Sequence, residues 1–143
     1  MNILSREEVL NQLKNDIYCR LKPSEHGGVG IFAIRDIPAG INPFVGTVVP
    51  NHYMFTVKEL EVLHPNVKRL VQDMFVFKDG VYHVPDNGMA QVDIAYYVNH
   101  CDRPNLRVVN NGLTFETIRE VKDGEELCAD YASYNDKEDV FDR

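Results

Sequence analysis

Two polar residues stand side by side in the stretch YYVNHCDRPN, where a buried strand would carry apolar side chains. Asn99 and His100 follow a short apolar segment that is typical of a strand, and a turn-forming run, DRPN, comes directly after them. An amide and an imidazole both donate and accept hydrogen bonds, and burying them is unfavourable unless a partner or a ligand satisfies them. The pair is therefore a candidate for ligand binding.

Two other short motifs could also form part of a site. Gly28-Val29-Gly30, preceded by Gly27, lets the backbone turn sharply and approach another group closely. It is not a dinucleotide-binding fingerprint, because the third glycine and the strand-to-helix unit are missing. The segment GEELCADY leads from an acidic turn into a strand that we expect to end at Tyr131. Taken singly, each motif is typical of an ordinary turn or strand.

Simpler chemistries can be weighed against the residues around His100. A Cys-His hydrolase built from His100 and Cys101 is excluded, because neighbours on an extended chain point to opposite faces. A zinc site is not indicated, since no ligand pair has the usual spacing. A capping Asn99 and a satisfied core histidine remain the plain structural alternative.

Composition limits the class of protein. At 143 residues with 44% apolar and 26% charged residues, the chain has the size and mix of one globular domain. A net charge of −7 argues against a nucleic-acid binder and suits a cationic partner. The sequence contains no run of about 18 apolar residues, so no membrane-spanning helix is indicated. Cys19, Cys101 and Cys128 are odd in number and widely spaced, which predicts free intracellular thiols.

Helix signals appear at two places. Ser5 with Glu8 forms a capping box and predicts a helix over residues 6–15. A second box, Thr56 with Glu59, opens a helical stretch over 56–74 that Pro65 interrupts. An apolar stripe at helical spacing predicts a core-facing helix after that proline, and it comprises Val67, Leu70, Val71 and Met74.

The rest of the chain is typical of short strands joined by tight turns. Asp79-Gly80 predicts a hairpin, Asn110-Asn111-Gly112 predicts another, and Lys122-Asp123-Gly124 closes a further loop. Short strands with a few short helices predict a mostly-β or α+β domain.

Together and in this order, the three motifs resemble the SET domain of protein lysine methyltransferases. The motifs are G-x-G, then N-H-x-x-x-P-N, then E-L-x-x-D-Y, and the resemblance covers residues 17–134. The resemblance implies a SET fold of short β-sheets with a few short helices and a knot-like threading near the C-terminus. It divides the chain into an N-terminal helix packed on the domain (1–16), the SET domain (17–134) and a polar tail (135–143).

The resemblance also implies a cofactor, S-adenosylmethionine. Gly28, Val29 and Gly30 would lie against it, with backbone groups facing its amino-acid end. Asn99 would hydrogen-bond that end, and the His100 backbone would meet the adenine.

Tyr131 matches the tyrosine that stands next to the transferred methyl group, and Glu126 and Asp130 look like supporting residues. The activity implied is methyl transfer to a lysine amine, with no metal and no covalent enzyme intermediate. An apolar channel would lower the pKa of the lysine amine and so favour its nucleophilic form. Candidate channel residues are Tyr82, Tyr97, Ala129 and Tyr134.

Several positions depart from the family pattern. Phe44 stands where a Y-x-G motif has tyrosine, and Cys101 replaces a serine. Asp102 occupies a position that is cysteine in zinc-bearing members, so no structural zinc is expected. Ala129 stands where some relatives have an aromatic residue that limits the number of methyl groups added. A small residue there would leave room for di- or trimethyl products, but other relatives carry the limiting aromatic elsewhere, so the product number stays open. The tail, through Tyr134 or Phe141, is the candidate for closing the channel.

Two functions compete. The first is an enzyme acting on a lysine of a basic protein or peptide, a histone being one example. The second is a catalytically weak SET-like module that binds a basic peptide or the cofactor. An unrelated α+β protein with chance matches ranks behind both. We expect no direct nucleic-acid or membrane partner and leave a homodimer open. The expected location is intracellular, either cytoplasmic or, for a histone substrate, nuclear.

Overall fold

A computed structural model describes residues 3–44, 51–109, 114–133 and 136, and every statement below concerns those residues. Within them, nine short strands form three small sheets, accompanied by three α-helices and three 3-10 turns. This agrees with the predicted mostly-β class. No helix in these ranges combines the length and the apolar character that crossing a membrane requires.

The main sheet has four strands in the order β1-β2-β9-β6. Strands β1 (Cys19–Pro23) and β2 (Val29–Ala33) form an antiparallel hairpin around the glycine loop. Strand β9 (Glu126–Ala129) lies antiparallel to β2, with Ile31 opposite Leu127. The two-residue strand β6 (Asn99–His100) runs parallel to β9. This order brings segments about a hundred residues apart to one place.

A second sheet, in the order β3-β5-β4, carries the middle of the chain. It consists of β3 (His52–Thr56), β4 (Val76–Lys78) and β5 (Val81–Pro85). The β4–β5 turn is Asp79-Gly80 with both φ angles positive, at 55° and 81°, as the hairpin signal predicted.

A separate antiparallel pair joins β7 (Leu106–Val109) to β8 (Thr114–Thr117). This pairing agrees with the predicted second hairpin, whose turn residues 110–112 lie outside the described ranges.

Two apolar clusters hold the sheets together. The first lies at the main sheet and includes the fully buried Ile31, Ile37, Val121 and Leu127. The second joins the middle sheet to the helices and is made of Leu60, Val71, Phe75 and Tyr82. The first cluster fixes the strands that carry the three sequence motifs, so packing rather than loop structure positions them.

The predicted helices form, and both capping boxes are present. Helix α1 spans Arg6–Asn15, α2 spans Val57–Leu60 and α3 spans Pro65–Met74. The apolar stripe of α3 is only partly core-facing: Val71 is buried and Met74 packs on the second cluster, whereas Val67 and Leu70 remain 42% and 37% exposed.

Helix α1 contains no buried residue. Contact with the domain comes from Arg35, whose guanidinium donates to the carbonyls of Lys14 and Asn15 at the end of the helix and lies over the Tyr18 ring. The packing of α1 on the domain and the boundaries of the three segments stay predictions.

Two expectations from the sequence are wrong. Cys101 and Cys128 are not free thiols but form a disulfide, and only Cys19 is free. The spacing of the cysteines could not show this, because the two residues are 27 positions apart in sequence. They come together only when β6, which ends next to Cys101, pairs with β9, which contains Cys128. The segment before Asn99 is a 3-10 turn over Ile94–Tyr97, not a strand.

Candidate active site

The three sequence motifs meet on adjacent strands of the main sheet. The glycine loop enters β2, Asn99-His100 is β6, and Glu126 begins β9, which lies between β2 and β6. The chain then leaves β9 through Asp130 into a 3-10 turn over Tyr131–Ser133. Tyr131 therefore opens a turn just beyond the strand rather than ending the strand.

Gly30 is a glycine because another side chain occupies the space beside it. A Cβ built at this position would contact the Glu126 carboxylate, with its carbon 2.7 Å away, and would lie 3.0 Å from Asn99 Nδ2. Gly27 and Gly28 differ, since both have positive φ, 96° and 62°, and open space where a Cβ would be. The loop thus combines a close internal approach at Gly30 with an open backbone surface at Gly28.

Asn99 is the centre of a hydrogen-bond network. The two hydrogens on its Nδ2 are shared among three acceptors, which are Glu126 Oε2 at 2.9 Å, the Val29 carbonyl at 3.1 Å and Ser24 Oγ at 3.2 Å. Ser24 Oγ in turn donates to Glu126 Oε1 at 2.7 Å. The network ties the loop before β2 to β6 and β9, which are the three segments that carry the motifs.

Tyr131 is anchored at both ends to the β6 segment. Its backbone N–H donates to His100 Nδ1 at 3.1 Å, and its hydroxyl donates to the Val98 carbonyl at 2.5 Å. The His100 and Tyr131 rings meet edge to face, with centroids 5.4 Å apart. The phenol is therefore held in one orientation, and its oxygen can accept as well as donate a hydrogen bond.

His100 is half-buried between two carboxylates. Its Nδ1 accepts the Tyr131 N–H, so a neutral ring carries its proton on Nε2. Nε2 lies 3.6 Å from Asp102 Oδ1, and Nδ1 lies 3.8 Å from Asp130 Oδ1. Asp130 also accepts the backbone N–H of Ala132, which fixes the turn that presents Tyr131.

The Tyr131 hydroxyl is a neutral group at physiological pH. Burial raises the pKa of Tyr131, and the negative charge of Asp73 on α3 raises it further, whereas a hydrogen bond from the His100 backbone lowers it. Because the pKa is raised from its usual value near 10, the phenol donates and accepts hydrogen bonds without serving as a base at neutral pH.

Two residues of this site carried no specific role in the sequence interpretation. Ser24 links the glycine loop to Glu126, and a single serine before a glycine-rich turn gives no signal of that contact. Asn105 is 3% exposed and clamps β9. It donates from Nδ2 to the Glu126 carbonyl at 2.8 Å and accepts the Cys128 N–H through Oδ1 at 2.9 Å. Its place at the end of N-H-x-x-x-P-N was the available signal.

The predicted channel residues have different surroundings. Tyr82 is 1% exposed in the second cluster, with its ring 4.8 Å from that of Phe77, and so has no surface open to a substrate. Ala129 is fully buried in the first cluster, and Tyr97 is half-buried against it. Tyr134 lies outside the described residues. The channel assignment therefore stays a prediction, with Tyr97 the described candidate that retains exposed surface.

Comparison with known proteins agrees with this arrangement. A model of the SET domain matches residues 28–132, and the chain therefore belongs to the SET-domain family. A relative from Schizosaccharomyces pombe, the histone-lysine N-methyltransferase specific for lysine 37 of histone H3, is 29% identical over 118 residues. The match covers 80% of this chain and 73% of that protein. Family and relative together support lysine methylation as the general activity.

Solved structures agree on the fold. A Plasmodium falciparum protein assigned as a histone methyltransferase matches with a TM-score of 0.51 and 15% identity, over 80% of this chain and 93% of that one. A humanized mutant of Chaetomium thermophilum Polycomb Repressive Complex 2, bound to the inhibitor GSK126, matches with a TM-score of 0.53 and 21% identity. That match covers 90% of this chain but only 17% of the larger one.

Proposed function

We propose that this protein transfers a methyl group from S-adenosylmethionine to a lysine side-chain amine of a basic protein or peptide. The observation that carries the proposal is the convergence of the glycine loop, Asn99-His100 and Tyr131 on and beside adjacent strands of one sheet. Family membership supports the reaction class.

The residues present suit the amino-acid end of that cofactor. Its ammonium group needs an acceptor, and no residue in the described ranges donates a hydrogen bond to Asn99 Oδ1. Gly28 offers exposed backbone with open space beside it. We therefore assign Gly28, Val29, Gly30, Asn99 and His100 to cofactor binding. When bound, the cofactor supplies an electrophilic methyl group on a positively charged sulfonium.

Tyr131 is the catalytic residue in this proposal. Its hydroxyl hydrogen is donated to the Val98 carbonyl, so the oxygen can accept weak C–H···O contacts from a methyl group held in line. Its ring also suits a neighbouring cation. Since the raised pKa keeps the phenol protonated, Tyr131 orients the reacting groups and does not remove the lysine proton.

A cationic substrate is favoured by the charge around the site. The chain carries a net charge of −7, and Asp102 and Asp130 expose carboxylates beside His100. Such a surface steers a lysine-rich partner and repels phosphate backbones. Histone H3 is a natural first substrate to test, because the relative from Schizosaccharomyces pombe acts on it. An intracellular location, nuclear for a histone substrate, belongs to the same proposal.

The test combines cofactor binding with a product assay. Titration calorimetry with S-adenosylhomocysteine measures binding, and mass spectrometry of core histones and lysine peptides measures methyl transfer. We expect Tyr131→Phe to lose methyl transfer by roughly 100-fold while keeping its affinity for S-adenosylhomocysteine. Tyr53→Phe is the matched control, because Tyr53 is 62% exposed on β3 and should remain fully active.

The outcomes separate the competing functions. Binding without turnover in the wild-type protein would favour the weak binding module over the enzyme. Full activity of Tyr131→Phe would remove Tyr131 from the catalytic role. A wild-type protein that neither binds S-adenosylhomocysteine nor methylates any lysine would overturn the proposal.

A further inference from the structure

The Glu126 carboxylate uses each of its oxygens for a different neighbour. Oε1 accepts from Ser24 Oγ at 2.7 Å, and Oε2 accepts from Asn99 Nδ2 at 2.9 Å. The glycine at position 30 is required by this carboxylate, since a Cβ there would overlap it. An ionised carboxylate only accepts hydrogen bonds, so it imposes a donor on both neighbours.

The orientation of the Asn99 amide follows from its surroundings. Glu126 Oε2 and the Val29 carbonyl both accept and cannot donate, so the end of the amide that faces them must be the NH2 group. Rotating the amide by half a turn would bring Oδ1 against two oxygens. The NH2 group therefore faces the protein, and Oδ1 is left as the acceptor on the other side.

We propose that Glu126, held by Ser24, is a positioning residue that fixes the Asn99 amide so that Oδ1 faces the ammonium group of the cofactor. This inference rests on the proposed function, because it assigns Asn99 to the amino-acid end of S-adenosylmethionine. Glu126 itself does not touch the reacting atoms in this scheme. It acts by excluding the amide rotamer that would present a donor to another donor.

Glu126→Gln tests the proposal with a small change in shape. The new amide nitrogen cannot face Ser24 favourably, because Ser24 Oγ already accepts from the His26 N–H and from Asn99 Nδ2. If the glutamine nitrogen faces Asn99 instead, two NH2 groups face each other. This repulsion is relieved only when the Asn99 amide rotates by half a turn, so that Oδ1 faces the glutamine. We expect the affinity for S-adenosylhomocysteine to fall by roughly 10- to 100-fold, as for a lost hydrogen bond to a charged group.

Exchanging the two groups should restore binding. In the double variant N99D/E126Q, one oxygen of the new aspartate accepts from the new glutamine, and the other faces outward as an acceptor. In the variant N99D alone, the new carboxylate faces the Glu126 carboxylate, where Asn99 Nδ2 and Glu126 Oε2 are 2.9 Å apart in the native protein. We expect each single variant to bind S-adenosylhomocysteine weakly and the double variant to bind more tightly than either. Recovery should be incomplete, because the Val29 carbonyl loses its donor.

Kinetics and stability distinguish positioning from a purely structural role. For E126Q we expect the KM for S-adenosylmethionine to rise with little change in kcat at saturating cofactor. A purely structural role would instead lower the melting temperature of E126Q in proportion to its loss of affinity. Glu116→Gln is the matched control, because its carboxylate pairs with Arg107 on the β7–β8 hairpin and it should leave KM unchanged.

A readout without cofactor makes the two proposals separable. In ¹⁵N-labelled wild-type protein, the side-chain NH2 of Asn99 should exchange slowly with solvent, and in E126Q it should exchange faster. Slow exchange together with a wild-type protein that fails to bind S-adenosylhomocysteine would overturn the proposed function and the ligand role of Oδ1. Unchanged exchange and affinity in E126Q would overturn the positioning role alone. A double variant weaker than both single variants would overturn it too.

Discussion

Reduction of the Cys101–Cys128 disulfide should destabilise this fold substantially. The two cysteines are 27 residues apart in sequence, and the bond closes that loop in the unfolded chain. A loop of this length loses conformational entropy equivalent to about 3.5 kcal/mol at 25 °C. Treatment with tris(2-carboxyethyl)phosphine reduces the bond to two thiols. For a domain of 143 residues, a loss of this size corresponds to roughly 10 °C in melting temperature.

The same bond should also affect the candidate active site. It joins the residue after His100 to the middle of β9, beside the pairing of Asn99 with Cys128. When it is broken, no covalent bond joins β6 to β9, and hydrogen bonds alone hold them together, among them the two-residue parallel pairing and the Asn105 clamp. We therefore expect reduction to weaken S-adenosylhomocysteine binding before the protein unfolds globally.

Urea denaturation followed by circular dichroism, with and without the phosphine, measures the stability difference. The double variant C101S/C128S is the control, since its denaturation midpoint should not respond to the reductant. Cys19→Ser should respond like the wild type, because Cys19 is outside the disulfide. Repeating the urea denaturation in glutathione buffers tests whether the disulfide or the dithiol form predominates under conditions like those of the cytosol or nucleus, where thiols are mostly kept reduced.

Three free thiols in the unreduced, denatured protein would refute the pairing itself. An unchanged denaturation midpoint after verified reduction would refute the loop-entropy reasoning, because the native pairing would then add no constraint to the unfolded chain.

Three further predictions concern single positions. Gly30→Ala should lower the free energy of unfolding by roughly 2 kcal/mol or more, because its Cβ would overlap the Glu126 carboxylate. Urea denaturation measures this loss, and an unchanged denaturation midpoint would contradict the prediction. Asn105→Ala should lower the free energy of unfolding by about 2–4 kcal/mol in the same assay, since it removes the hydrogen-bond partner of the Cys128 N–H and of the Glu126 carbonyl. A loss of stability no larger than that of a surface substitution would rule out this role of Asn105. Burial raises the pKa of the Cys19 thiol to about 11, so its thiolate fraction at pH 8 is about a hundredfold below that of an unperturbed thiol. Iodoacetamide should therefore alkylate Cys19 slowly in the folded protein and rapidly in urea, and equal rates would show that the thiol is exposed.

The local features of the fold could be predicted because their signals lie within a few residues. The capping boxes at Ser5 and Thr56 fixed the starts of α1 and α2, and Asp79-Gly80 fixed the β4–β5 turn. Caps and turns satisfy backbone groups using nearby side chains or positive φ, so neighbouring residues suffice to predict them. The 3-10 turn before Asn99 was missed, because a short apolar run suits either a strand or a helical turn.

Three short motifs can be read from the sequence alone, and they are a glycine loop, an amide-imidazole pair and the tyrosine of E-L-x-x-D-Y. The SET-domain family that they indicate is confirmed, whereas the role of these residues in the chemistry stays a prediction. The contacts between these motifs, in contrast, could be known only from the folded structure. The parallel pairing of β6 with β9, the disulfide beside it and the donor facing Glu126 all join residues more than twenty positions apart. Such contacts depend on the global packing of the sheet, and no local propensity encodes which side of an asparagine amide will face inward.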